Sequence, residues 1–516
     1  MRHAHVPIFA MIACLVAYSA NIAAPVTDTF HEGELVGFLW HMRAYYQGST
    51  AFPLLVHGGM DYVPSLLAAY FFGDSSVIIG TRFIIATIAA LAFFLYLHIS
   101  YTVVEKKDNP QLWLLACIAL FYYFSPPLGS DILRVGSHPL RDVFLFLTVW
   151  LFLKGFIVRA KYFTILYLAL ASLSATVSIV WCYNRGVMAF AFILICVVML
   201  LLRKEYKNFL IVTVFFAIGL FLVEKSVIFG SLSENLANIK YWVINARHIN
   251  PYPFDIPYLP GYFSLLMLSL FSSAVALFFV CWTIKRHNCD DGFCVVALGL
   301  LAVQLLLIKT AYDRAEIEQS FLGGWPSIVV LLYLVSRIYK LDGLGCSPQI
   351  TRKVPCDWEE RFVPAAFGTV MVTFFMFVVL GAPATLSYPM TMKKIITKKT
   401  DLELVSPEML GVKAVLADDD VDCYFNWVNN GVIALLSGKK YCTDYSYVHY
   451  ASSKHEAKML EQLDTAAPNV IIYDTKYSGV IVNGVHMSKR FDKVDEYIRS
   501  NYDKEIIIDG FRMLIK

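Results

Sequence analysis

TDTFHEGEL, residues 27 to 35, sets Asp28, His31, Glu32 and Glu34 directly after the first long apolar run of the chain. Carboxylates at the edge of a bilayer are costly to desolvate, so such a group is a candidate for function; the plain alternative is a solvated loop helix. Continued as a helix, the stretch puts Asp28 and Glu32 on one face at i, i+4, turns His31 toward Glu34 at i, i+3, and points Glu32 away from Glu34.

The surroundings of this stretch are those of a membrane protein. Hydrophobic residues make up 58% of the 516 and charged residues only 16%, a balance no ordinary soluble domain carries. The net charge of +3 says little as a total. Residues 6–24 are long enough to cross a bilayer and read as an anchor, although Ala23 and Ala24 would also suit the end of a signal peptide. Further candidate spans fall at 77–103, 112–128, 140–157, 163–181, 187–202, 208–229, 262–284, 293–310, 320–339 and 362–384, which predicts about eleven transmembrane helices. The acidic stretch opens a loop over 25–76 whose apolar pieces, Phe38 to Trp40 and Leu66 to Phe72, are too short to cross and suit helices lying along the interface.

Alternate loops collect basic residues: Lys106 and Lys107, then Lys154, Arg159 and Lys161, then Arg203, Lys204 and Lys207. Basic residues accumulate on the cytoplasmic side, which also puts the N-terminus there. The opposite loops hold the acidic stretch, SDILRVGSHPLRD at 130–142, CYNRG at 182–186, the long loop 230–261 with ARHINPYPFDIPYLPG, and YDRAEIEQ at 312–319. Each alone is a solvated loop cap, but their common sidedness marks one working face, the external one. Glu224, Lys225, Lys309 and Arg82 sit near the outer ends of their spans, where a buried charge needs a partner or a ligand.

Beyond the last span the periodicity changes. VKAVLAD and NVIIYD read as buried strands, WVNNGVIALLSG and KRFDKVDEYIRSNY as helices, and KEIIIDGFRMLIK as a closing hairpin. The division expected is a transmembrane domain over 1–384 and a small external α/β domain over 385–516. Of eleven cysteines, Cys423 and Cys442 fall in that external domain and form a candidate disulfide. Phosphate loops, dinucleotide fingerprints, HExxH, GxSxG and zinc spacings are all absent from the sequence, as is any basic tract for nucleic acid. Chemistry on the outer face therefore calls for a substrate already activated or lipid-borne. No Asn-X-Ser/Thr sequon occurs, which leans toward a bacterial inner membrane and a periplasmic C-terminal domain.

An acidic motif in a long first external loop, PLRD at the start of the fourth span, YDRAE before a late span and an external α/β domain together resemble the GT-C superfamily of integral-membrane glycosyltransferases. The run DCYFNWVNNGVIALLSGKKYCTDY followed by PNVIIYD resembles the periplasmic domains of bacterial members that use polyprenyl-phosphate-linked sugars. The resemblance implies an inverting transfer from such a donor to a cell-surface glycan or lipid, with Asp28 as general base. Glu32 or Glu34 would be the second acid, for the acceptor or a divalent cation, and His31 would orient a carboxylate or the sugar. Arg134, Arg141, Arg185 and Arg314 are the candidates for the leaving phosphate, with Asp142 and Asp313 able to tie up their neighbouring arginines instead. His138, Tyr312, Asp313 and Glu316 are candidates for sugar contacts, and Arg247 and His248 for a lid. Two other classes remain open: a lipid-linked-sugar flippase or transporter, expected to carry charges at mid-bilayer, and a non-catalytic glycan-binding subunit.

Overall fold

The computed structural model describes residues 25–103, 137–157, 161–249, 293–314, 400–475, 485–508 and 510–516, with a few isolated positions besides. The expected spans at 6–24, 112–128, 262–284, 320–339 and 362–384 lie wholly or almost wholly outside these residues. The chain forms two compact units. The first gathers 1–20, 86–222 and 254–389, and the second 21–85, 223–253 and 390–516. The acidic first loop and the C-terminal segment therefore share a unit.

The helices in chain order are α1 (His31–Val36), α2 (Leu39–Tyr46), α3 (Val63–Phe72), α4 (Val77–Val103), α5 (Ser137–Ile157), α6 (Lys161–Trp181), α7 (Tyr183–Leu202), α8 (Tyr206–Glu224), α9 (Leu232–Ile249) and α10 (Phe293–Arg314). Among the described residues four stretches are long and apolar enough to cross a membrane: Asp74–Ser100, Tyr162–Trp181, Tyr183–Leu202 and Tyr206–Glu224. In the first unit α5, α6, α7 and α10 pack together. Pro139 stands in the first turn of α5, where a missing amide costs nothing. Only Cys182, in an extended conformation, separates α6 from α7. The return is tight enough that a Cβ on Gly186 would meet Ile179 Cα at 2.3 Å.

The second unit is built on a five-stranded sheet in the order β2-β1-β3-β7-β6. The strands are β1 (Cys423–Asn426), β2 (Lys440–Tyr441), β3 (Val470–Thr475), β6 (Lys504–Ile508) and β7 (Phe511–Ile515), with a separate ribbon of β4 (Ile481–Val482) and β5 (Val485–His486). β1 lies parallel to both β2 and β3, while β7 runs antiparallel to β3 and β6. Its helices are α11 (Pro407–Leu416), α12 (Gly431–Ser437), α13 (Glu456–Ala466), α14 (Met487–Arg490) and α15 (Asp492–Asn501).

Most of the local reading of this segment agrees with the structure. NVIIYD is β3, the closing hairpin is β6–β7, and α15 turns Val494 and Ile498 inward at i, i+4. One element differs: VKAVLAD, expected as a strand, belongs to helix α11, whose inward residues Met409, Val412 and Leu416 recur at helical spacing once the preceding SPEM is included. Pro407 at its first position and Glu408 in its first turn mark that start. A second difference is the 230–261 loop, of which Leu232–Ile249 is helix α9. Cys423 and Cys442 are joined by a disulfide, 19 residues apart in sequence.

Candidate functional site

The first-loop acids are held by the second unit's own packing. Helix α1 lies against α12 through glycines: a Cβ on Gly33 would stand 2.7 Å from Gly431 N, and one on Gly37 2.8 Å from Gly431 Cα. At Gly431 the added atom would meet Tyr447 Oη at 2.1 Å and Gly33 O at 2.4 Å. Two helix backbones approach this closely only where side chains are missing, which GELVG supplies at i, i+4. Tyr447 Oη also donates to Phe30 O at 3.4 Å, at the start of α1. Burial pushes the Tyr447 phenol well above its ordinary value, with Tyr441 and Glu34 adding to the shift, so its hydroxyl stays a proton donor.

Once α1 is fixed, the three acids take different partners. Asp28 precedes the helix: Oδ1 accepts the His31 amide at 3.0 Å and Oδ2 lies 2.8 Å from His31 Nδ1. His31 thus pairs with Asp28, not with Glu34. Glu32 takes Arg82 through two hydrogen bonds, from Nε and, at 2.8 Å, from Nη2, while Arg82 Nη1 also donates to Ile22 O at 3.0 Å. Glu34, 4% exposed, accepts the hydroxyl of Tyr450. The carboxylates diverge in this way and do not form a cation cradle; among the described residues no group of three or more metal-ligating side chains converges.

The Asp28–His31 pair is the accessible one. The His31 side chain is 49% exposed and that of Asp28 23%, against 17% for Glu32. Rings surround it: Phe30 meets His31 at 5.1 Å, Tyr447 at 5.5 Å and His449 at 5.2 Å between centroids. Arg490 holds the 449–451 segment by donating to His449 O and Ala451 O, each at 2.7 Å. A second acid–imidazole pair, His57 Nδ1 at 2.9 Å from Asp61 Oδ1, is buried, and Asp61 also accepts the His57 amide at 2.7 Å. That pair pins the turn before α3.

Three other candidates meet in the first unit. Arg185 Nε donates to Asp142 Oδ1 at 2.5 Å, with both side chains 1% exposed. Asp142 therefore engages Arg185, across α5 and α7. Cys182, at the α6–α7 turn, lies near Arg141, Arg185 and Asp142. Trp181 Nε1 donates to Leu140 O at 2.7 Å and ties the α6–α7 turn to the start of α5.

His138 lies on α5, Tyr312, Asp313 and Arg314 close α10, and Arg247 and His248 lie in the last turn of α9; their side chains are outside the described residues. Arg134 and Glu316 are outside them altogether. Sequence reasoning missed Tyr447, Tyr450, Arg490 and the glycine contact. Only the Gly33-x-x-x-Gly37 spacing was a visible signal, since nothing local joins Tyr450 to a residue 416 positions away.

No family model matches the chain, and no curated protein matches it. Among solved structures it is similar to ArnT from Cupriavidus metallidurans bound to undecaprenyl phosphate, at 10% identity over 99% of this chain and 98% of that one, with a TM-score of 0.47. The apo state of the same protein gives 12% identity, 98% and 97% coverage and 0.47. The Archaeoglobus fulgidus oligosaccharyltransferase, in complex with Zn and sulfate, gives 12% identity over 90% of this chain and 67% of that one, with 0.48.

Proposed function

We propose that the chain is a GT-C-type membrane glycosyltransferase that moves a sugar, with inversion, from a polyprenyl-phosphate donor to a glycan or lipid acceptor on the external face of a bacterial inner membrane. The observation that carries this reading is the division of labour among the first-loop acids. Arg82 and Tyr450 occupy Glu32 and Glu34, while Asp28 stands at the accessible start of α1 with an imidazole hydrogen-bonded to it.

In the proposed step Asp28 takes the proton from an acceptor hydroxyl as that oxygen attacks the anomeric carbon. The carbon–oxygen bond to the phosphate breaks on the opposite face, and polyprenyl phosphate leaves with the electron pair. General-base assistance of this kind contributes about 10²–10⁴-fold. His31 orients Asp28 through Nδ1. Glu32 and Glu34 act on the shape of α1 through their partners. The negative charge that develops on the leaving phosphate calls for guanidinium groups, which suit two-point phosphate contact.

A second reading has a specific basis. The Asp28–His31 geometry also suits an imidazole base held by a carboxylate. The two readings separate by substitution: an imidazole base loses transfer in His31→Gln as fully as in Asp28→Asn, whereas an orienting imidazole leaves a residual rate.

The test is transfer of radiolabelled sugar from a set of polyprenyl-phosphate donors to envelope acceptors, in membranes carrying wild type, Asp28→Asn, His31→Gln and Glu32→Gln at matched expression. The proposal expects transfer by wild type and its collapse in Asp28→Asn. Movement of donor lipid across the bilayer that survives every substitution, with no sugar transferred, would point to a flippase.

A further inference from the structure

Helix α9 is amphipathic in reverse. Its asparagines face inward: Asn235 is 0%, Asn238 8% and Asn245 4% exposed. Asn235 Nδ2 donates to Phe229 O and Ser231 O, Asn238 Nδ2 to Pro53 O at 3.1 Å, and Asn245 Nδ2 to Tyr241 O at 2.9 Å. Trp242 Nε1 adds a bond to Leu55 O at 2.9 Å. Outward it exposes Leu236 at 49%, Val243 at 70% and Ile244 at 60%, with Ser233, Ala237 and Lys240 exposed beside them. Spacings of seven and eight residues put all three on one stripe, about two turns long, and exposed Lys240 lies between them in sequence. A helix bathed in water has the opposite pattern.

The start of α9 is tied to the end of a candidate membrane span. Glu224, the last residue of α8, accepts the amide of Leu232, the first residue of α9, at 2.8 Å. Between them Val227 is 76% and Ile228 55% exposed, and Ile228 O accepts the hydroxyls of Tyr46 and Tyr62. An apolar stripe that begins where the chain leaves the bilayer has lipid as its nearest apolar phase.

We infer that α9 docks on the bilayer, with Leu236, Val243 and Ile244 entering the boundary between headgroups and acyl chains. Lys240 extends its stem along the same boundary and its ammonium to the lipid phosphates. Asn238 and Trp242 then hold the 53–55 segment of the first loop to a helix anchored on lipid, so the surface positions the loop that carries the acids.

The full-length chain is placed in nanodiscs of phosphatidylcholine and phosphatidylglycerol with radiolabelled acyl chains. A photo-crosslinking amino acid replaces Leu236, Val243 or Ile244 in turn, or Glu461, an exposed residue of α13. Lipid adducts from the α9 positions about tenfold above the Glu461 level are expected for an apolar face buried in the interface. Adducts within the chain, or lipid labelling no greater than at Glu461, would overturn the inference. Three independent positions, each checked for an unchanged thermal midpoint, keep the result readable if one substitution perturbs folding.

Discussion

The hydroxyl of Tyr450 donates a hydrogen bond to Glu34 across 416 residues of sequence, joining the buried acid of the first loop to the C-terminal segment. Glu34 is 4% exposed, so this donor compensates a carboxyl that water barely reaches. Tyr450→Phe removes the donor and keeps the ring, and it should lower stability by about 1–3 kcal/mol. Pairing it with Glu34→Gln in a double-mutant cycle checks this by thermal or denaturant unfolding. Additive effects of the two substitutions would mean that the hydrogen bond contributes nothing.

Gly431→Ala should be among the more damaging single-methyl additions in the chain. The new Cβ meets Tyr447 Oη and the backbone of Gly33 at 2.1 and 2.4 Å, and a backbone cannot swing aside as a side-chain end can. Overpacking of this sort costs about 1–3 kcal/mol or more. At Gly155 the same change meets side-chain atoms alone, those of Leu168 from 3.0 Å and Tyr167 Cβ at 3.6 Å, and is expected to be milder. Comparing the unfolding midpoints of the two variants tests the order.

Arg82 is 5% exposed, while its partner Glu32 keeps 17% of its side chain exposed. Arg82→Leu leaves that half-buried carboxylate without its partner, a loss of about 1–3 kcal/mol, below the figure for a fully buried pair. Arg82→Leu combined with Glu32→Leu should recover much of it. Asp28→Asn keeps an oxygen for the His31 amide, so it should leave the midpoint almost unmoved while abolishing transfer. A matching fall in stability for Asp28→Asn would reassign that residue to structure.

Asp401 accepts the amides of Ile78 at 2.9 Å and Ile79 at 3.3 Å, at the first turn of α4. Burial outweighs these amides and the charge of Arg82, and the carboxyl is raised to about 6. A carboxyl that holds its proton longer when folded stabilises the fold below its unfolded value of about 4, and that contribution is lost as pH rises through about 6, in all about 3 kcal/mol. Asp401→Asn carries no such charge. Wild type should therefore lose stability relative to this variant between about pH 4 and 7, and a constant difference in unfolding midpoint across that window would contradict the assignment.

The pieces legible in sequence are those whose cause is local. The apolar runs behind α4, α6, α7 and α8 are legible because a span needs only length and hydropathy. Hairpin β6–β7 and helix α15 show in short-range periodicity, and the DCYFNW to KKYCTDY stretch pairs its cysteines within 19 residues. α11 was misread because a window opening at Val412 hides the proline start and the inward Met409 that give the helical period. α9 reads as part of the loop between two spans because its inward positions hold asparagines, where a hydropathy pattern looks for apolar residues.

By itself, the amino-acid order determined that this chain is built from membrane-length apolar helices, that it ends in a segment of mixed helix and strand, and that its acids gather in TDTFHEGEL. Only the tertiary structure decided which acid takes which partner. Arg82 for Glu32, Tyr450 for Glu34 and Asp142 for Arg185 are partners chosen by packing across tens to hundreds of residues, and hydrogen bonds of that range leave no periodicity in sequence. Local spacing listed the charges; the glycine contact between α1 and α12 sorted them into buried and accessible.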